Sequence, residues 1–306
     1  MRNSKLWLHG VLSLLGLAFG LGLSGTAAAG GYYVTPDIAE GVFIAYWNPQ
    51  GQPAGADLSS CSSSVDAYPV VLVNGTFSVA EDDFGGLASD LANAGYCVYT
   101  FNYGYNSPGD LIEAIGPVAD SAQQLAAFIA QVQSQTGSAQ VDLVGHSQGG
   151  MLTEYYAKVL GGAANVHNIV ALSPTTHGTT LDGLVSLASY FPGANAIVDD
   201  FCPACYDQET GSAIITALDN GPIAQSGVGY TVIETQNETV VTPVGSSFIN
   251  EPGVVNEYVQ SYCSGDTVDH ANLAYDNVVI RLVRNALTPA TARAPDCSIE
   301  YPASTQ

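Results

Sequence analysis

Apolar residues in this chain gather in short continuous runs that do not alternate with polar ones. Val70-Val71-Leu72-Val73 follows Pro69 and stops at Asn74-Gly75-Thr76, and Cys97 to Phe101, Val141 to Val144, Asn168 to Leu172 and Tyr230 to Ile233 repeat the pattern. Runs of this length and texture predict strands buried on both faces, as in a parallel sheet covered by helices. Helical patterns lie between them. One runs from Phe84 to Ala94 and ends at Gly95. In a longer one, opening at Pro117 and closing at Gly137, residues Val118, Ala122, Leu125, Ile129 and Val132 form a single apolar stripe. A last helix is predicted from near Asp276, turning Val279, Leu282, Val283 and Ala286 inward. Alternating strand and helix predict an α/β fold with a mainly parallel central sheet flanked by helices, whose ligands sit beyond the carboxyl ends of the strands.

The first 29 residues stand apart from this pattern. Arg2 and Lys5 precede an apolar run from Leu6 to Leu23, and Ala27-Ala28-Ala29 supplies small residues for cleavage before Gly30. This reads as a secretory signal peptide rather than a stable membrane anchor, so a secreted, extracellular protein is expected. No linker, internal repeat or low-complexity block lies between Pro69 and Leu287, and residues 30–306 are expected to form a single domain. With the leader removed, four basic residues face 28 acidic ones, a formal charge of −24. That balance excludes nucleic acid and anionic membranes as partners.

Six cysteines in an exported chain predict three disulfides. Cys202-Pro203-Ala204-Cys205 has the spacing of a redox or half-zinc motif, but no second Cys pair or His cluster accompanies it, so a local disulfide is expected. Cys61 with Cys97 and Cys263 with Cys297 are the other expected pairs. No metal-ligand spacing and no cofactor motif is legible.

The chemistry centres on Gly145-His146-Ser147-Gln148-Gly149-Gly150, between a predicted strand and a helix-like stretch from Met151. A serine on such a turn projects its hydroxyl beyond the strand end, over a helix N-terminus. A serine nucleophile needs a base, an acid to orient the base, and oxyanion donors, in the chain order serine, acid, histidine. Of five histidines, His9 falls in the leader, His146 is the variable position of the turn, His167 precedes a strand, and His177 comes before any suitable acid. His270, on a loop before the last helix, is the candidate base. Glu238, a few residues past the strand ending at Glu234, is the candidate acid, with Asp266 and Asp269 as competitors. The backbone amides of Gln148 and Thr76 are the candidate oxyanion donors.

Pro69 to Tyr103 with Asn74-Gly75-Thr76, the Gly145 to Gly150 turn, Cys202 to Cys205, Val240-Val241-Thr242-Pro243 and Asp269-His270 together resemble, in order, the blocks of the secreted bacterial class 2 triacylglycerol lipases. The resemblance spans nearly the whole chain after the leader. It implies the α/β-hydrolase fold and an esterase or lipase with Ser147 as nucleophile and His270 as base. Two positions depart from the family pattern: Asn74 stands where a histidine is usual, and Glu238 where an aspartate is usual. Around residues 181–196 either a lid insertion is expected, with Leu184, Val185, Leu187, Ala188 and Phe191 forming an apolar flap able to meet a lipid surface, or an ordinary core-packing helix. The expected partner is an ester or lipid substrate and the expected state a monomer. A polyester hydrolase or acyltransferase with the same machinery, or a non-catalytic binding protein, are the alternatives.

Overall fold

The computed structural model describes residues 31–298 apart from 106, 108 and 201; the expected signal peptide lies outside the described residues. From Tyr32 onward the described residues form one compact unit. Its centre is a six-stranded sheet of β1 (Val70–Val73), β2 (Val98–Thr100), β3 (Val141–His146), β4 (Val166–Leu172), β5 (Gly229–Glu234) and β6 (Val254–Tyr258). They lie in the order β2-β1-β3-β4-β5-β6, each neighbouring pair parallel.

Strand side chains alternate between faces, so each buried run feeds two cores. Val71, Val73, Leu143, Ile169 and Val232 point one way, into a core that includes Val118, Leu125 and Ile129 of α3 (Val118–Thr136) and Met151 and Leu152 of α4 (Gln148–Lys158). Val70, Leu72, Val144, Val170 and Ile233 point the other way, onto Phe84, Leu87 and Leu91 of α2 (Ala80–Asn93) and Val279, Leu282 and Val283 of α9 (Asn277–Leu287). Both faces are therefore apolar, which is why the strands show no alternation in sequence. Removing one such side chain, as in Leu72→Ala, typically costs about 2–5 kcal/mol.

Local signals stop the helices where expected. Gly137 caps α3 in the left-handed region at φ 73°, and Asp276 caps α9 by accepting from the Val279 N–H at 2.9 Å. The sequence predicted five strands. The sixth, β6, lies at the sheet edge beside β5 with half-exposed side chains, so no apolar run marks it. Between β4 and β5 run α5 (Leu181–Ala188), α6 (Ala194–Asp200), α7 (Pro203–Asp207) and α8 (Ala213–Asp219). Before β1 comes α1 (Ile38–Trp47). Disulfides join Cys61 to Cys97, Cys202 to Cys205 and Cys263 to Cys297. No described helix is long and apolar enough to cross a membrane.

Candidate active site

Ser147 sits between the end of β3 and the start of α4 with φ 52° and ψ −121°, a backbone state that L-residues rarely adopt. The glycines around it allow the chain to turn that sharply. A Cβ on Gly149 would lie 1.9 Å from the Val73 carbonyl oxygen, and one on Gly145 would lie 2.5 Å from the Gly149 backbone. Only hydrogen at these positions lets α4 start against the ends of β1 and β3. Ser147 N–H donates to the Leu172 carbonyl at 2.9 Å, tying the turn to β4.

Glu238 and His270 come from the loops that follow β5 and precede α9. His270 Nδ1 lies 2.8 Å from Glu238 Oε2, and both side chains are buried. The other carboxylate oxygen, Oε1, accepts from the Val240 and Val241 N–H groups at 2.7 and 3.1 Å. Burial alone would raise this carboxyl, but the adjacent His270 and the two backbone donors overrule it and hold it at about 2. The competing acids are engaged elsewhere: Asp266 accepts from Val268 N–H, and Asp269 accepts from Asn272 and from the Tyr190 hydroxyl. His177 pairs with Asp219 at 2.6 Å, and His167 with Asp142 at 2.9 Å.

Ser147 Oγ and His270 Nε2 are both buried, and neither makes a hydrogen bond within the protein. The serine–histidine bond of a working triad is thus not closed in this state; such bonds are often long without substrate. Ser147 is fully buried and His270 is 1 % exposed.

Thr76 and Gln148 meet across the turn. Thr76 Oγ1 donates to Gln148 Oε1 at 3.2 Å, and Gln208 Nε2 reaches both, at 2.9 and 3.1 Å. Gln208 follows α7, the short helix that carries the Cys202–Cys205 disulfide, and the Thr175 hydroxyl donates to its side-chain oxygen Oε1 at 3.1 Å. Gln148 Nε2 in turn donates to the Ala114 carbonyl at 3.0 Å. Asn74 turns its amide inward, donating to the Ser78 carbonyl at 2.7 Å, so it braces its own loop.

His146 is more than a variable position of the turn. Its Nδ1 lies 2.7 Å from Asp83 Oδ1, and its Nε2 lies 3.0 Å from the His270 carbonyl oxygen. A carbonyl oxygen only accepts, and Asp83 already accepts from Gly75 N–H at 2.6 Å through its other oxygen. Nε2 therefore carries hydrogen, and Nδ1 faces the Asp83 carboxyl. Burial opposes a charge on His146, but Asp83 outweighs it and raises the pKa. Asp83 and His146 thus link the Gly75–Thr76 loop to the backbone of His270. Neither Asp83 nor Gln208 gave a sequence signal: Asp83 is one of three acids opening α2, and Gln208 lies beyond the cysteine clip.

The expected flap needs correction. Leu184, Leu187, Ala188 and Phe191 are buried, and only Val185 of the named five is exposed. A Cβ on Gly183 would lie 2.1 Å from the Val240 carbonyl oxygen, so α5 packs tightly on the loop carrying Glu238. Its apolar face therefore serves the core. No cluster of three or more His, Cys, Asp or Glu able to hold a metal occurs among the described residues.

A family model described as Lipase (class 2) matches residues 67–282. A triacylglycerol lipase of Burkholderia plantarii is 34 % identical over 123 residues, covering 36 % of this chain and 33 % of that protein. One from Pseudarthrobacter phenanthrenivorans is 38 % identical over 97 residues, covering 30 % of this chain and 28 % of that protein. The matched stretches thus span about a third of those relatives. Among solved structures, Aspergillus fumigatus lipase B superposes with a TM-score of 0.59 at 23 % identity, over 76 % of this chain and 54 % of that one. Bacillus licheniformis lipase BlEst2 in its mature form gives 0.52 at 18 % identity, over 78 % and 100 %. These likenesses fix the fold as that of the α/β-hydrolases. Because the family match extends over most of the chain and includes Ser147, Glu238 and His270, the chain belongs to the class 2 lipases.

Proposed function

We propose that the protein is an exported serine carboxylic ester hydrolase that cleaves acylglycerols and simple esters through an acyl-enzyme on Ser147. Ser147 Oγ attacks the acyl carbonyl while His270 Nε2 takes its proton, and Glu238 holds His270 Nδ1–H and stabilises the imidazolium. The backbone amides of Thr76 and Gln148 bind the oxyanion. The His270 proton passes to the leaving alcohol, and water then repeats the sequence to release the acid and restore the serine. No cofactor takes part in these steps.

The observation that carries this reading is the 2.8 Å Glu238–His270 pair, which leaves the other nitrogen of His270 unbonded, while the His270 carbonyl is held by His146, the residue before a serine on a strained turn. Acylglycerol substrates are supported by the matched relatives, which are named triacylglycerol lipases. Export is supported by three disulfides, bonds that persist in oxidising compartments. A series of nitrophenyl esters of rising chain length tests the proposal, with Ser147→Ala as control. Turnover that vanishes in the control is the expected result; turnover that survives it removes the mechanism.

A further inference from the structure

The segment before β1 gave no functional signal in the sequence, yet it places an aromatic face beside the candidate site. Phe43, Tyr46 and Trp47 of α1 are 64 %, 58 % and 73 % exposed. They fall at i, i+3 and i+4, so they share one side of the helix. The opposite side is fixed to the body: a Cβ on Gly41 would meet the Tyr275 hydroxyl at 2.3 Å and Asp82 at 3.2 Å.

The ends of α1 anchor to the histidine loop and to the segment that follows β2. At its start, the Ile38 N–H donates to the Asn272 side-chain oxygen at 3.4 Å, two residues past His270. Beyond its end, Asn102 donates to the Pro49 carbonyl at 3.1 Å and Gln50 donates to Glu113 at 3.2 Å. The Glu113 carbonyl accepts in turn from the N–H of Phe77, next to Thr76. A ten-residue helix, about 15 Å long, thus bridges the histidine loop and the segment after β2, whose Glu113 is bonded to the oxyanion loop. On the far flank of the histidine loop, Tyr190 is also partly exposed and donates to Asp269.

We propose that Phe43, Tyr46 and Trp47 form a docking surface that seats the protein on a neutral lipid–water interface with the site facing the lipid. The assignment of lipid rests on the ester hydrolase reading; the surface itself rests on exposure and position. Charge selects the occupant. No lysine or arginine occurs between Lys5 and Lys158, so α1 and the segments flanking it carry no cation of their own to attract anionic lipid. A second copy is disfavoured by a formal charge of −24 on each chain after the leader. Three aromatics at this exposure offer roughly 400 Å², about half of what each partner buries in a stable dimer. Aromatic rings with polar tips suit an interface between hydrocarbon and water.

After removal of the leader, which contains Trp7, Trp47 is the sole tryptophan and reports on its own surroundings. The test uses the chain from Gly30 carrying Ser147→Ala, so that hydrolysis does not alter the surface. It is titrated with phosphatidylcholine-coated triolein emulsion. The expected result is a blue shift of Trp47 emission, quenching by brominated phosphatidylcholine, and at least about tenfold weaker binding with F43S and Y46S together. In the chain that retains Ser147, F43S and Y46S should lower hydrolysis of emulsified triolein by a similar factor and leave turnover of a soluble nitrophenyl butyrate unchanged. No shift on the emulsion would overturn the proposal. So would a shift that follows protein concentration without lipid, which marks a second copy, or a preference for phosphatidylglycerol vesicles. Failure of the hydrolase reading shows separately, as absent nitrophenyl butyrate turnover with the emulsion binding intact.

Discussion

The turn bearing Ser147 and the loops bearing Glu238 and His270 reach one site by different means. Ser147 is positioned by backbone: a strand, a strained residue and a helix follow one another without a gap, and glycines 145 and 149 make room for them. The acid and histidine are positioned by side chains across long stretches of sequence. Glu238 is clamped by its own loop and bonded to a residue 32 positions away, while the His270 backbone leans on His146, 124 positions away. A serine held by local geometry tolerates no change of shape near it. Loss of Glu238 would remove the carboxylate that orients the His270 ring.

That contrast sets the order of expected effects. Ser147→Ala and His270→Ala should each lower kcat on a soluble ester by about 10⁴-fold or more, with the melting temperature of Ser147→Ala close to that of the parent. Glu238→Gln keeps the size of the side chain and removes its charge; kcat should fall by about 10³- to 10⁴-fold, as expected when a triad acid no longer stabilises an imidazolium. Equal activity in Glu238→Gln would move the role to Asp266 or Asp269.

Gly149→Ala breaks the other side of the comparison. Alanine normally favours a helix over glycine by about 1 kcal/mol, but here the added carbon meets the Val73 carbonyl at 1.9 Å. The clash should win, with stability lost by about 1–3 kcal/mol in a denaturant titration and kcat lowered with it. Gln208→Ala removes a brace shared by Thr76 and Gln148 without touching the reacting atoms. A fall in kcat of about tenfold with little change in KM is expected, smaller than the hundred- to thousandfold loss typical of deleting an oxyanion donor itself.

The smallest effect on activity, but a broad one on stability, comes from pH. Burial raises Glu113 and Glu154 to about 8, Asp142 to about 9 and Glu234 to about 7, and each keeps one carboxyl oxygen without a partner. A carboxyl raised in the folded state contributes stability that is full below its unfolded pKa, near 4, and is lost as pH rises through the folded value. Glu238, held at about 2, acts in the opposite sense: its contribution is present above about 4.5 and lost as pH falls toward 2. Calorimetry across pH 3 to 9 should therefore place the highest melting temperature on the acid side, near pH 4–5, with a steady decline toward pH 9.

Features with a local cause were legible in the sequence. The two-faced burial of β1, β3, β4 and β5 wrote itself as continuous apolar runs, and the cap residues Gly137 and Asp276 marked helix ends. Ser147 was legible because its turn needs glycines at fixed offsets. β6 was not, since an edge strand with half-exposed side chains carries no apolar signature. Which way the apolar face of α5 turns was not legible, because an apolar stripe does not say which neighbour it meets. Asp83, His146 and Gln208 act through contacts spanning 60 residues or more, which no local pattern encodes.

The central claim is that Ser147 is a nucleophile activated by His270. Mass mapping after treatment of the folded protein with a fluorophosphonate tests it most directly. The account predicts a single adduct on Ser147 that forms rapidly in the parent, slowly in Glu238→Gln and not at all in His270→Ala. An unlabelled Ser147, or equal labelling in the His270 variant, would contradict it.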